Sequence, residues 1–148
     1  MISAIVLAQN EERHLAECLA SLQWADELLL LDSGSQDQTV SIAKAAGARV
    51  EYRAFTHFGD QREAALRLAH HPWVFFVDAD ERVPPALAAE VQHVVTSSPP
   101  TFNAHSPCLP SKWWMRPPLW GYDCSRDFLI RLDSAAERSG MPYSRIRL

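Results

Sequence analysis

The fold class predicted for this chain is α/β: a mostly parallel sheet between two layers of helices. Three observations predict it. Apolar strand-like runs alternate with stretches of helical periodicity from Ile2 to about Val95. The connections are short, as expected of βαβ units, in which helices carry the chain between parallel strands. Three of the four strand ends carry polar or acidic residues, and ligands on such sheets bind outside the carboxyl ends of the strands.

The elements follow in order. Ile2 to Ala8 is an unbroken apolar run, the mark of a strand buried on both faces. Asn10 is expected at a helix N-cap, with Glu11 and Glu12 in the first turn, where the helix dipole favours acids. Leu15, Cys18, Leu19 and Leu22 then recur at helical spacing. Trp24 to Glu27 turns the chain into a second strand, Leu28 to Leu31, which ends at Asp32. Gly34 allows a tight turn. Asp37 or Thr39 can cap the next helix, which carries Val40, Ile42, Ala43 and Ala46 and stops near Gly47. Arg49 to Arg53 is a short third strand. Phe58 to His71 is expected as one helix, ended by Pro72. Trp73 to Val77 is the fourth strand, with Asp78 and Asp80 at its end. Pro84 and Pro85 open a helix over Ala86 to Val95, since Pro is tolerated in a first turn. Beyond Ser97, prolines interrupt most of the chain. Phe128 to Leu132 is a last strand.

At 148 residues, one domain is expected over 1–148, with a first half at 1–98 and a smaller second half at 99–148. The net charge of −4 gives no electrostatic case for a nucleic-acid partner. No apolar run is long enough to cross a bilayer, and the start lacks the basic region of a signal peptide. Cys18, Cys108 and Cys124 form no C-x-x-C pair, so neither a zinc knuckle nor a disulfide framework is suggested. A cytoplasmic location is expected. The six histidines show no ligand spacing. Trp113, Trp114, Trp120 and Tyr122 could be packing, a sugar-stacking platform or a membrane-surface contact.

The most informative stretch is Val74-Phe75-Phe76-Val77-Asp78-Ala79-Asp80-Glu81. Asp is depleted in strands and costly to bury unpaired. A buried strand that runs into two carboxylates at i and i+2 therefore suggests a ligand. Such a pair can hold a hard divalent cation, and that cation can hold a diphosphate.

Four stretches, in order, resemble the inverting family 2 glycosyltransferases, most closely the bacterial branch that builds lipopolysaccharide core. They are Ala8-Gln9-Asn10-Glu11-Glu12, Trp24-Ala25-Asp26-Glu27, Asp32-Ser33-Gly34-Ser35-Gln36-Asp37-Gln38-Thr39 and Asp78-Ala79-Asp80-Glu81-Arg82. The ordered set is far more specific than the acid pair alone. The resemblance implies a nucleotide-diphospho-sugar transferase fold, GT-A-like. It implies that Asn10, Glu11, Asp32, Ser35 and Asp78 contact the nucleotide sugar, a UDP-sugar being the expected donor. It makes Asp80 the ligand of Mg²⁺ or Mn²⁺. Asp127, in a segment like the family's Pro-Asp-Tyr-Gln-Leu-Arg-Leu stretch, becomes the candidate base. The implied reaction is sugar transfer with inversion to a glycan or lipid-linked acceptor. Peripheral contact with the inner face of the membrane and homo-oligomerisation stay open. Family members usually carry a Val-His-Glu type element after the last motif, and none precedes Leu148. The alternative is therefore a truncated or degenerate relative that binds nucleotide sugar or a partner without catalysis. A sugar-phosphate nucleotidyltransferase would need a Gly-rich basic turn after the first strand, and Ala8 to Glu12 is acidic and lacks glycine.

Overall fold

The computed structural model describes residues 1–97 and 128–131. Its elements are β1 (Ile2–Ala8), α1 (Leu15–Ser21), β2 (Glu27–Asp32), α2 (Thr39–Ala45), β3 (Arg49–Tyr52), α3 (Phe58–Leu68), β4 (Trp73–Asp78), α4 (Pro85–Ser97) and β5 (Phe128–Arg131). They form one sheet of order β3-β2-β1-β4-β5. The first four strands run parallel, and β5 is antiparallel to β4. The α/β class expected from the sequence is the one adopted.

β1 sits at the centre and is buried at every position except Leu7, which is partly buried. Strand alternation divides its side chains between two layers. Ile2, Ala4, Val6 and Ala8 share one core with Leu15, Cys18 and Leu19 of α1, Ala43 of α2, and Leu87, Ala88 and Val91 of α4. Ile5 belongs to the other, with Leu29, Leu31, Val74, Phe76 and the α3 residues Ala65 and Leu66. The connection from β3 to β4 runs back across the sheet. A right-handed crossover in that reversed direction puts α3 on the face opposite α1 and α2.

Two expected boundaries move, each for a tertiary reason. Asn10 is not a helix N-cap. It adopts a left-handed backbone with φ of 58°, and α1 begins only at Leu15. Its side chain instead accepts the Gln36 N–H across the neighbouring loop, at 2.8 Å. The third helix stops at Leu68 rather than running to His71. The Leu68 carbonyl accepts from the Arg49 guanidinium, and, after Ala69 N–H has closed the last helical bond to Ala65, the next two amides are drawn away from the helix. His70 N–H donates to Glu27 at 3.0 Å, and His71 N–H donates to the Ser3 hydroxyl at 3.2 Å. The second helix ends as expected beside Gly47. There Ala48 N–H donates to Ala43 and Gly47 N–H to Lys44, with Gly47 at a φ of 81°.

The bonds of Leu68, His70 and His71 belong to a polar cluster at the amino-terminal edge of the sheet. Glu27 accepts from Ser3 of β1, Arg49 of β3 and the His70 amide, so one carboxylate ties three strands and a loop together. Its side chain is only 10% exposed. Desolvation pushes this carboxyl up, but the Ser3 hydroxyl, the His70 amide and Arg49 outweigh it and hold it below its ordinary value of 4.5. A carboxyl depressed in the folded state binds its proton more readily when unfolded. The stability it supplies is therefore present above about pH 4.5 and is lost as pH falls through the folded value. Glu27→Gln is expected to lower stability at neutral pH by about 1–3 kcal/mol and to flatten the loss on acidification. Urea unfolding across a pH series checks this; an unchanged acid slope would remove Glu27 as its source.

Candidate functional site

Sheet register decides which loops meet at the carboxyl edge. Ala8 pairs with Asp32 on one side of β1, and Leu7 pairs with Asp78 on the other. Asp32 and Asp78 thus flank the end of β1, with backbones about 10 Å apart at two strand spacings. The three expected strand-end clusters do converge on one edge.

The loops after β1 and β2 are interlocked by side chain to backbone hydrogen bonds. Asn10 N–H donates to Ser35 Oγ at 2.9 Å, while Gln36 N–H donates to Asn10 Oδ1. Glu11 N–H donates to the buried Thr39 hydroxyl at 2.8 Å. Glu12 N–H donates to Asp37 at 3.1 Å, and Gln38 N–H donates back to Glu12 at 3.0 Å. Short polar side chains replace regular backbone pairing where the strands have ended. The left-handed backbone of Asn10 suits this, since Asn tolerates that conformation better than most residues.

Asp32 shapes the second loop. Its carboxylate is 4% exposed and accepts from Gly34 N–H at 3.0 Å and Ser35 N–H at 3.1 Å. Gly34 makes the turn at a φ of 99°, which side chains other than glycine's rarely allow. The N-cap of α2 is Gln38 rather than Asp37 or Thr39, and its side chain makes no capping bond; Asp37, one residue earlier, accepts the Thr39 N–H at 2.9 Å. Desolvation pushes the Asp37 carboxyl up, but the Thr39 hydroxyl and the Thr39 and Glu12 amides hold it below its ordinary value.

Asp78 ends β4 half-buried, and Asp80 lies in the following turn, exposed. Glu81 N–H donates to the Asp78 carbonyl at 3.0 Å and closes that turn. Ala79 between the two acids is 4% exposed and belongs to the same core as Ala8 and Val83. α1 anchors the turn through Cys18 Sγ to the Asp78 carbonyl, Glu17 to Arg82 at 3.1 Å, and Ser21 Oγ to Val83 N–H at 3.0 Å.

The acids of this edge fall into two groups. Asp32, Asp37, Glu12 and Glu17 are engaged in holding loops and turns. The Glu11 and Asp80 carboxylates make no hydrogen bond or ion pair among the described residues, which leaves them available to a ligand. Glu12, Gln38 and Thr39 complete the interlock yet were not expected as site residues. Their signal was the density of short polar residues at two strand ends. Asp127 and the tryptophan-rich stretch lie outside the described residues.

Residues 3–115 match the model of glycosyl transferase family 2. The chain belongs to that family. It is 33% identical over 102 residues to the lipopolysaccharide core biosynthesis glycosyltransferase LpsC of Rhizobium meliloti, covering 66% of this chain and 38% of LpsC. An uncharacterized glycosyltransferase of Rickettsia conorii is 33% identical over 97 residues, 65% of this chain and 34% of that protein. Among solved structures, the glucosyl-3-phosphoglycerate synthase of Mycobacterium tuberculosis in complex with UDP superposes with a TM-score of 0.55 at 29% identity, over 64% of this chain and 39% of that one. The same enzyme with Mn²⁺, UDP and glucosyl-3-phosphoglycerate gives 0.53 at 27% identity, over 65% and 38%. This family 2 chain thus spans less than half the length of these relatives. Among its described residues, no helix is long and apolar enough to cross a membrane.

Asn10 offers a direct check on the interlocked loops. Asn10→Ala is expected to cost about 2 kcal/mol, from the lost Gln36 bond plus left-handed strain. Asn10→Gly removes only the bond and is expected to cost about 1 kcal/mol less. Thermal unfolding of both variants measures the difference, and equal losses would mean that the backbone conformation carries no strain.

Proposed function

We propose that this chain carries the donor half of an inverting family 2 glycosyltransferase, which moves a sugar from a UDP-sugar to a glycan or lipid-linked acceptor. Residues 1–98 would bind the donor, and residues 99–148 would contribute the acceptor side. The observation that carries this reading is the strand-end arrangement. Uncommitted Asp80 stands on one side of β1, and the interlocked loops of Asn10 and Asp32 stand on the other. UDP and Mn²⁺ in the related synthase structures support it.

The donor set suits a divalent cation that shares its ligands with substrate. Among the described residues no group of three or more His, Cys, Asp or Glu could form a closed cage. Asp80 and Asp78 would instead hold Mg²⁺ or Mn²⁺ together with phosphate oxygens and water, a sparse arrangement that Mg²⁺ commonly adopts. The cation would supply Lewis-acid stabilisation of the departing diphosphate.

The chain's own residues would do the rest. Glu11 would accept hydrogen bonds from the nucleoside with its unengaged carboxylate. Asp32 keeps acceptor capacity beyond its two turn amides and would offer it to the base or ribose. Asn10 and Ser35 would present the loop backbone in a fixed shape. Asp127 would take the proton of the acceptor hydroxyl as the new bond forms, on the face opposite the leaving group. Action at the cytoplasmic face of the membrane fits a lipid-linked acceptor.

UDP with Mn²⁺ is expected to raise the melting temperature, by mass action worth about 2.7 kcal/mol at a ligand concentration of 100 Kd. Asp80→Asn should abolish the metal-dependent part of that shift while its ligand-free melting temperature stays close to wild type. Unchanged binding would remove Asp80 as the cation ligand. Binding with no donor hydrolysis or transfer would favour a nucleotide-sugar binder over a catalyst.

A further inference from the structure

One open cleft among the described residues lies away from Asp78 and Asp80. It runs between the outer flank of β3 and α3, has a volume of about 540 Å³, and is lined by Glu51, Tyr52, Arg53, Asp60, Glu63 and Arg67 together with two apolar residues. Its size lies in the range of small-ligand sites. Among the described residues β3 is the edge strand of the sheet.

We propose that this cleft between edge strand β3 and helix α3 is a carbohydrate-binding site that takes a short neutral oligosaccharide. Three features of the cleft point to that ligand class. The first is exposed aromatic surface. Of the four large hydrophobic residues exposed among the described residues, three lie within one short stretch: Tyr52 at 70%, Phe55 at 46% and Phe58 at 69%. Tyr52 lines the cleft; Phe55 lies in the segment joining its two walls and Phe58 opens α3, their rings 5.2 Å apart and nearly perpendicular. A sugar ring presents C–H groups on its faces and hydroxyls at its rim. Aromatic faces carry the negative quadrupole that attracts such C–H groups.

The second feature is oriented planar polar groups. Glu51 is held by Arg49 at 2.8 Å, Asp60 by Thr56 at 2.7 Å, and Glu63 by Arg67. Each carboxylate keeps further acceptor sites for hydroxyl donors. The Arg53 side chain makes no hydrogen bond or ion pair among the described residues, so its donor fork is open to hydroxyl oxygens. Its backbone is fixed, however. Arg53 N–H donates to the Asp32 carbonyl at 2.9 Å, and its own carbonyl accepts from the buried Gln61 side chain at 3.1 Å.

The third feature is charge. Three carboxylates and two guanidiniums line the cleft, which disfavours a phosphate or a polyanion. No group of three or more His, Cys, Asp or Glu that could hold a metal ion lies among the described residues. A neutral polyhydroxyl ligand satisfies both signs at once. The cleft is removed from Asp78 and Asp80 but adjoins the Asp32 loop, because Tyr52 pairs with Asp32 and Arg53 N–H donates to its carbonyl; separate sugar and UDP titrations therefore distinguish this proposal from the donor reading.

The test is a ¹H–¹⁵N NMR titration of the full chain with maltotriose, mannotriose and cellotriose, with UDP and Mn²⁺ in a parallel series. Saturable shifts are expected at residues 51–53 and 60–67 with at least one trisaccharide. Tyr52→Ala and Arg53→Ala should each weaken binding by about tenfold or more, whereas Tyr52→Phe, which keeps the ring, should bind as wild type. Both positions are exposed, so melting temperatures should hold and certify the fold. Absence of saturable shifts with all three sugars would overturn the proposal. So would shifts confined to residues 8–11, 32–35 and 78–80, or binding unaffected by Tyr52→Ala. Failure of UDP to bind would sink the donor reading alone.

Discussion

Everything at the carboxyl edge depends on the double pairing of β1. That strand is hydrogen-bonded in parallel to β2 on one side and to β4 on the other. The two ladders determine which loop residues lie beside which. A slip of one residue in either would turn buried side chains outward and exchange the two core faces. Burial of Ile5 in one layer and Ala4 and Val6 in the other forbids that slip. The placing of Asp32 beside Ala8 and of Asp78 beside Leu7 is thus a by-product of hydrophobic alternation, and the chemistry is placed by the core.

The two edges of the sheet divide their work. At the amino-terminal edge, polar groups face inward and satisfy one another around Glu27, whose depressed carboxyl contributes to the expected acid sensitivity. At the carboxyl edge, side chains bond to loop backbones and leave selected carboxylates unengaged. The same residue types do both jobs. What differs is the partner: Arg49 and Ser3 complete Glu27, whereas no described group completes Asp80. An engaged carboxylate holds structure together, and an unengaged one at a ligand edge keeps its capacity for phosphate-bound cations or hydroxyls.

The turn after β4 shows how little sequence is needed to place two acids. Ala79 is small enough to pack into the core between them, and this fixes the turn from below. Anchors from α1 hold it from the side, at Glu17, Cys18 and Ser21. A larger residue at 79 would add volume to a buried layer, which is costly. Membership of glycosyl transferase family 2 rests on the match over residues 3–115, and the packing beneath Ala79 gives a physical reason for a small residue between the acids.

The sequence by itself determined the kind and order of the elements. Apolar runs, helical spacing, Pro85 at a helix start and Gly47 at a helix end are local signals, and each element has its expected neighbours in the chain. It also showed that three strand ends carry acids. Only the tertiary structure decided the rest, because the deciding partners are distant in the chain. Asn10 left the helix for a bond to Gln36, 26 residues away. The third helix stopped at Leu68 because Arg49, Glu27 and Ser3 took its last carbonyl and the following amides. Asp32 turned inward to its own loop while Asp80 stayed outward. The cleft beside β3 had no sequence signal, since its walls join only when α3 folds back along the sheet edge. Local propensity specifies which segments can form; long-range hydrogen bonds and packing specify which side chains remain available for function.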